Sequence, residues 1–170
     1  MGKTRNEIEG AIENYAKARQ RLRKYGKDAG ASEKKWFSGN DNLVGDIGEY
    51  WAAKLLGEVD LAEKSNDPYD FKVTRSRTPN FRKYEGEKIY VKAMTPWATR
   101  KAGSAVKGIK ARKWNFFCAI KLDDKLLPVE YAIVPIGEFN HRDGQQFRWG
   151  WVSKLVKPYP GDLVPNRRES

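Results

Sequence analysis

The chain has one histidine, His141, and one cysteine, Cys118, in 170 residues. That scarcity removes several chemistries at once. With a single histidine, neither a His–His metal finger nuclease nor a Ser-His-Asp triad is well supported. With a single cysteine, there is no internal disulfide and no cysteine zinc cluster. Cys118 itself lies inside the apolar run Phe116-Phe117-Cys118-Ala119-Ile120, which suits a buried strand. A reducing, cytoplasmic setting is the expectation. Long apolar runs are missing too: none approaches the ~20 residues of a membrane span. The charged start, Met1-Gly2-Lys3-Thr4-Arg5, lacks the apolar core of a signal peptide. The glycines between Gly103 and Lys110 only half resemble a phosphate loop, because Gly-Lys-Ser/Thr is missing and no strand precedes them.

Acidic side chains are in short supply: 22 Asp and Glu stand against 33 Lys and Arg, a net charge of +11. Such a balance favours a polyanionic partner, nucleic acid or an anionic membrane. No amphipathic helix with a bulky aromatic face argues for the membrane, so nucleic acid is favoured, with a solvated basic surface as the alternative.

The apolar pattern then divides the chain. Residues 4 to 26 read as a helix, closed by Gly26. Ile8, Tyr15 and Leu22 recur every seven residues, as do Ala11, Ala18 and Tyr25, while Arg5, Lys17, Arg19, Arg21, Arg23 and Lys24 occupy the other faces. This helix could pack on its own domain, join a second copy into a homodimer, or lie along nucleic acid. A second helix over 41 to 57, capped by Asn40 or Asp41 and ended by Gly57, carries Leu43, Ile47, Trp51 and Leu55 on one stripe. Glu49 falls on another stripe among Gly45, Ala52, Ala53 and Leu56, small residues that permit close backbone approach. Strands are expected at about 59–64, 69–75, 87–95, 115–122 and 129–135, with Asp123-Asp124-Lys125 as a hairpin turn. Trp149 to Leu155 is a short amphipathic stretch. The fold class is therefore α/β: a central mixed sheet of about five strands flanked by helices. Residues 1–30 form the basic N-terminal helix, 31–160 the α/β domain and 161–170 a frayed tail.

With histidine and cysteine removed, carboxylates plus lysine are the chemistry that remains. Phosphodiester hydrolysis needs a metal ion to polarise the phosphate and to acidify an attacking water. Mg²⁺ takes oxygen ligands and keeps several waters, so one or two carboxylates suffice. Asp70 and Lys92 fit if the second and third strands pair, with Glu49 on the helix beside them as a second oxygen. Asp60 with Asp70-Phe71-Lys72 offers an alternative arrangement of acids and lysine. No acidic residue occurs from Lys88 to Lys121. Within that span Arg100, Lys101, Lys107, Lys110, Arg112 and Lys113 form a basic segment, bracketed by Trp97 and Trp114, that is placed to hold a phosphate backbone.

Over residues 41 to 136 these pieces resemble the PD-(D/E)XK nuclease superfamily, the restriction-endonuclease-like fold. The resemblance rests on Gly45-Asp46-Ile47-Gly48-Glu49, Pro68-Tyr69-Asp70-Phe71-Lys72, Ile89-Tyr90-Val91-Lys92 and the two apolar strands that follow. It implies a metal-dependent DNA endonuclease, in restriction, repair or mobile-element DNA processing. Mg²⁺, or Mn²⁺ in its place, would be held by Asp70, by the Val91 carbonyl and by Glu49, with Lys92 assisting the attacking water. The chain departs from the family at Tyr90, where an acid or Gln usually stands. Either Glu49 supplies the missing carboxylate, or the protein is a non-catalytic nucleic-acid binder on a nuclease-like fold, or the Asp60/Lys72 register holds.

Overall fold

Alternating apolar residues commit the middle of the chain to strands, and the computed structural model pairs them into one sheet; it describes residues 2–28, 42–62, 69–95, 113–138 and 149–164. Two helices come first, α1 (Gly2–Asp28) and α2 (Asn42–Leu56). The strands are β1 (Gly57–Leu61), β2 (Phe71–Ser76), β3 (Lys88–Met94), β4 (Phe116–Leu122), β5 (Pro128–Pro135) and β6 (Lys157–Pro158). They form a six-stranded sheet in the order β1-β2-β3-β4-β5-β6. Neighbours are antiparallel except β3 and β4, which run parallel from Ile89↔Phe116 to Met94↔Lys121. The architecture is thus α/β with a mixed sheet. It has one strand more than the sequence suggests: β6 is two residues long and pairs with Glu130 and Tyr131.

One face of the sheet is covered by α2, and the other is covered over β3 to β5. On one, α2 buries Ile47, Trp51, Ala52, Leu55 and Leu56 against Phe71, Val73, Ile89, Val91, Cys118 and Ile120. The Trp51 indole N–H donates to the Leu126 carbonyl at 3.0 Å, and the Tyr159 hydroxyl donates to the Trp51 carbonyl at 2.7 Å. Strand alternation sends Tyr90 and Met94 to the opposite face, with Trp114, Phe117, Ala119, Ala132 and Val134. There the cover is a 3₁₀ helix, Trp149–Leu155, which buries Val152, rather than an α-helix. Asp123 makes the expected hairpin turn. Its Oδ1 accepts from the Lys125 and Leu127 amides at 2.9 Å each, and Leu126 takes a left-handed φ of 62° with its side chain buried. Gly57 ends α2 with a φ of 140°, and a Cβ there would collide with the Arg75 carbonyl, so glycine alone lets α2 turn directly into β1.

Two expectations need correction. The buried row of α1 is Ile12 and Ala16, flanked by half-buried Glu9, Tyr15 and Arg19; Ile8, at 41% exposure, and Ala11 and Ala18 face outward. Polar contacts set this rotation, because Glu9 pairs with Lys54 and accepts from the Tyr50 hydroxyl at 3.0 Å. The side chains of Leu22 and Tyr25 lie outside the described set. Nor does ordered structure stop at residue 160. Leu163 is buried in the main core and Asp162 pairs with Arg77 at 3.2 Å. Among the described residues, no helix is long and apolar enough to cross a membrane.

Candidate active site

The ladder between β2 and β3 is short, Phe71↔Ile89 and Lys72↔Lys88. On the other side of that register the strands fork. Ile89 gives its carbonyl to the Asp70 amide at 2.8 Å, so by the period of two Val91 and Ala93 direct their own N–H and C=O groups to the same edge, facing the fork. Asp70 occupies that fork. Its backbone is pinned from both sides, the amide to Ile89 and the carbonyl to the Ala62 amide at 3.0 Å. Its carboxylate then does what a strand carbonyl would otherwise do: Oδ2 accepts from the Val91 N–H at 2.5 Å.

Glu49 reaches the fork from α2. Gly48, the residue before it, packs on β3 so closely that a Cβ would stand 2.5 Å from the Ala93 Cβ. A glycine inside a helix costs about 1 kcal/mol relative to alanine. Here it brings the helix axis onto the strand and carries Glu49 to Asp70. Burial, followed by the Asp70 and Asp46 carboxylates, pushes Glu49 up to about 7, against the opposing pull of Lys92. Burial likewise raises Asp70, opposed by the Val91 amide, Lys92 and the hydrogen bond from Glu49. Burial and crowding thus favour a proton on the pair, and the hydrogen bond between them raises Glu49 while lowering Asp70.

Lys92, half-buried, completes the group. It projects from the same face of β3 as Tyr90, and its ammonium lies 4.7 Å from the Tyr90 ring centroid. Tyr90 is stacked on Trp114 at 6.0 Å with 15° between the planes and also touches Phe117. Tyr90 is thus an aromatic floor beneath the lysine.

Among the described residues, no three His, Cys, Asp or Glu side chains gather as a metal-binding group. A cation here would rest on two carboxylates and the Val91 carbonyl. The chemistry of that set suits Mg²⁺: the oxygens are hard, the two acids are crowded enough to retain a proton, and a divalent ion relieves the crowding.

The structure thus brings Glu49, Asp70, Val91 and Lys92 together. In the alternative arrangement, Asp60 and Lys72 are cross-strand partners on β1 and β2, both exposed, and Lys72 has no part in the fork. Of the basic segment, Lys113 is exposed, while Arg100, Lys101, Lys107, Lys110 and Arg112 lie outside the described residues. Two contributors escape a reading of the sequence for acids and bases. Gly48 had a signal, a glycine in mid-helix beside a carboxylate; Asp46 had one too, as the acid three residues before Glu49 on the same helix. No protein-family model matches the chain, and no curated protein sequence matches it.

Proposed function

We propose that this protein is a metal-dependent endonuclease of the restriction-endonuclease-like fold that hydrolyses phosphodiester bonds in DNA. The observation that carries the reading is the meeting of Glu49, Asp70 and Lys92 at the β2–β3 fork, with the Val91 backbone directed to the same edge. Glu49, Asp70 and the Val91 carbonyl would hold Mg²⁺ or Mn²⁺, which when bound supplies phosphate polarisation and an acidified water. The Val91 N–H fixes the Asp70 carboxylate, leaving its second oxygen for the ion. Glu49 would hold the ion as a carboxylate, its proton released to solvent. Lys92, held on the Tyr90 ring, places a positive charge where negative charge grows on the phosphate. The net charge of +11 supports a DNA substrate. Restriction, repair and mobile-element processing all fit this chemistry.

One observation favours a second reading, a non-catalytic DNA binder on the same fold. Tyr90 is locked into an aromatic cluster where the family has its second acid. Incubation of plasmid, single-stranded DNA and RNA with Mg²⁺ or Mn²⁺, and with chelator, separates the two. The nuclease reading expects metal-dependent cleavage of DNA, lost by at least about 100-fold in Lys92→Ala and Asp70→Asn, in line with the loss of one charge-stabilising group. Salt-sensitive DNA binding without cleavage of any substrate would establish the binder. Full cleavage by Lys92→Ala would transfer the role to Lys72.

A further inference from the structure

Lys72 and Lys88 stand directly opposite each other on β2 and β3, and both are exposed. Partners in an antiparallel ladder project to the same face, and like charges so placed destabilise the sheet. Among the described residues, neither lysine carries an ion pair, although Asp60 faces Lys72 from β1. Two exposed like charges so placed repel each other, and a bound anion would relieve the repulsion.

Their position says which anion. Lys88, Tyr90 and Lys92 are alternate residues of β3 and line one face. The 3₁₀ helix and Trp114 cover that face over β3 to β5, while on β1 and β2 its residues Asp60, Lys72 and Thr74 are bare. The Lys88 ammonium lies 4.8 Å from the centre of the Tyr69 ring, next to Asp70 in the chain, so it is held over this surface. Lys72 is two residues from Asp70, roughly 7 Å along the strand, and Lys88 is four from Lys92, roughly 13 Å. At about 3.4 Å of axial rise per nucleotide, those spacings correspond to about two to four nucleotides.

We infer that Lys72 and Lys88 together grip the phosphate backbone of the DNA strand whose scissile bond lies at Asp70 and Lys92, about two to four nucleotides from that bond. The inference rests on the reading of the fork as a phosphodiester-cleaving site. It adds a substrate track over the exposed lysines of β2 and the start of β3.

The test is DNA binding by fluorescence anisotropy over a salt series in chelator, with a short labelled duplex. The full-length wild type is compared with Lys72→Gln/Lys88→Gln and with a control, Lys17→Gln/Lys125→Gln, which removes two exposed lysines elsewhere. Each phosphate contact contributes about 0.9 to the slope of log K against log salt. The double variant is expected to lose about 1.8 from that slope, to bind about tenfold more weakly or worse at moderate salt, and to melt no lower than wild type. The control is expected to keep the wild-type slope. In cleavage assays the double variant raises KM and leaves kcat within about twofold, as removal of ground-state binding requires. A wild-type slope in Lys72→Gln/Lys88→Gln, or an equal loss in the control, overturns the inference. A reduced slope in the double variant with no cleavage by the wild type keeps the DNA contact and removes the nuclease reading instead.

Discussion

Tyr90 shows how a single side chain changes the character of a site. As a ligand it is poor, since a neutral phenol offers Mg²⁺ little. As a platform it is good: its ring is stacked on Trp114 and presents a face to the Lys92 ammonium at 4.7 Å. A cation over an aromatic face gains about 0.5–2 kcal/mol, more when water is excluded. On the proposed reading Tyr90 would position Lys92, with the ring rather than the hydroxyl carrying the role. Tyr90→Phe is expected to keep cleavage within about twofold. Tyr90→Leu removes the ring; losing about 1–2 kcal/mol of lysine positioning corresponds to roughly a five- to thirty-fold fall in kcat. A purely structural role would lower stability without a lasting kcat defect, so melting temperature and kcat are measured together, at a temperature where both variants are folded. Tyr90→Glu, which places an acid two residues before Lys92, is expected to destabilise the fold instead of raising activity, because the carboxylate would be buried between Trp114 and Phe117.

At the scale of elements, the fork owes its shape to how closely α2 lies on β3. Asp70 and Lys92 were legible as residues of neighbouring strands, because apolar alternation marks strands and the chain order limits their pairing. Glu49 was legible because its stripe is small-sided. Other features were hidden for physical reasons. The α1 stripe was misread because seven-residue spacing counts apolar side chains, whereas the helix is rotated by Glu9 pairing with Lys54 and Tyr50. β6 escaped because two residues, one of them proline, leave no alternation to read. Leu163 is one apolar residue in a Pro/Gly-rich stretch, and burial of a single residue has no period. The α2–β3 approach can be tested directly. Gly48→Ala adds a methyl 2.5 Å from the Ala93 Cβ. Overpacking of that kind costs about 1–3 kcal/mol, offset by about 1 kcal/mol of helix propensity. The expectation is a net loss of about 1 kcal/mol in denaturant unfolding and a larger proportional loss of cleavage, since Glu49 moves off Asp70 with the helix. In Gly48→Ala/Ala93→Gly the methyl has room. A double-mutant cycle should therefore show a favourable coupling, and additivity would mean that the contact does not set the helix position.

For the whole molecule, the crowded acids link folding to pH and, on the proposed reading, to metal. Glu49 in the folded protein holds its proton up to about 7, against 4.5 ordinarily, with burial as the main cause. Between those values the folded state keeps a proton that the unfolded chain has released, so stability without metal falls as pH rises through this window and levels off above it. Asp70 is raised in the same direction, with burial again the main cause, and its contribution to stability also falls as pH rises. Glu13 and Glu85 are lowered, by Lys17 and Ser76 respectively, and act in the opposite sense at pH values below the window. The difference between wild type and Glu49→Gln isolates the Glu49 contribution: the variant is expected to show a flatter decline in melting temperature from pH 4.5 to 7. On the proposed reading metal binding would reverse the trend, because an ion between the acids requires both to be ionised. Mg²⁺ at about 100 times its Kd would add about 2.7 kcal/mol, roughly 5–10 °C for a chain of this size. That shift should be full at pH 8, much reduced at pH 5.5, and absent in Asp70→Asn. A melting temperature that responds to Mg²⁺ equally at both pH values, or equally in Asp70→Asn, would place the ion somewhere other than the fork, and with it the chemistry.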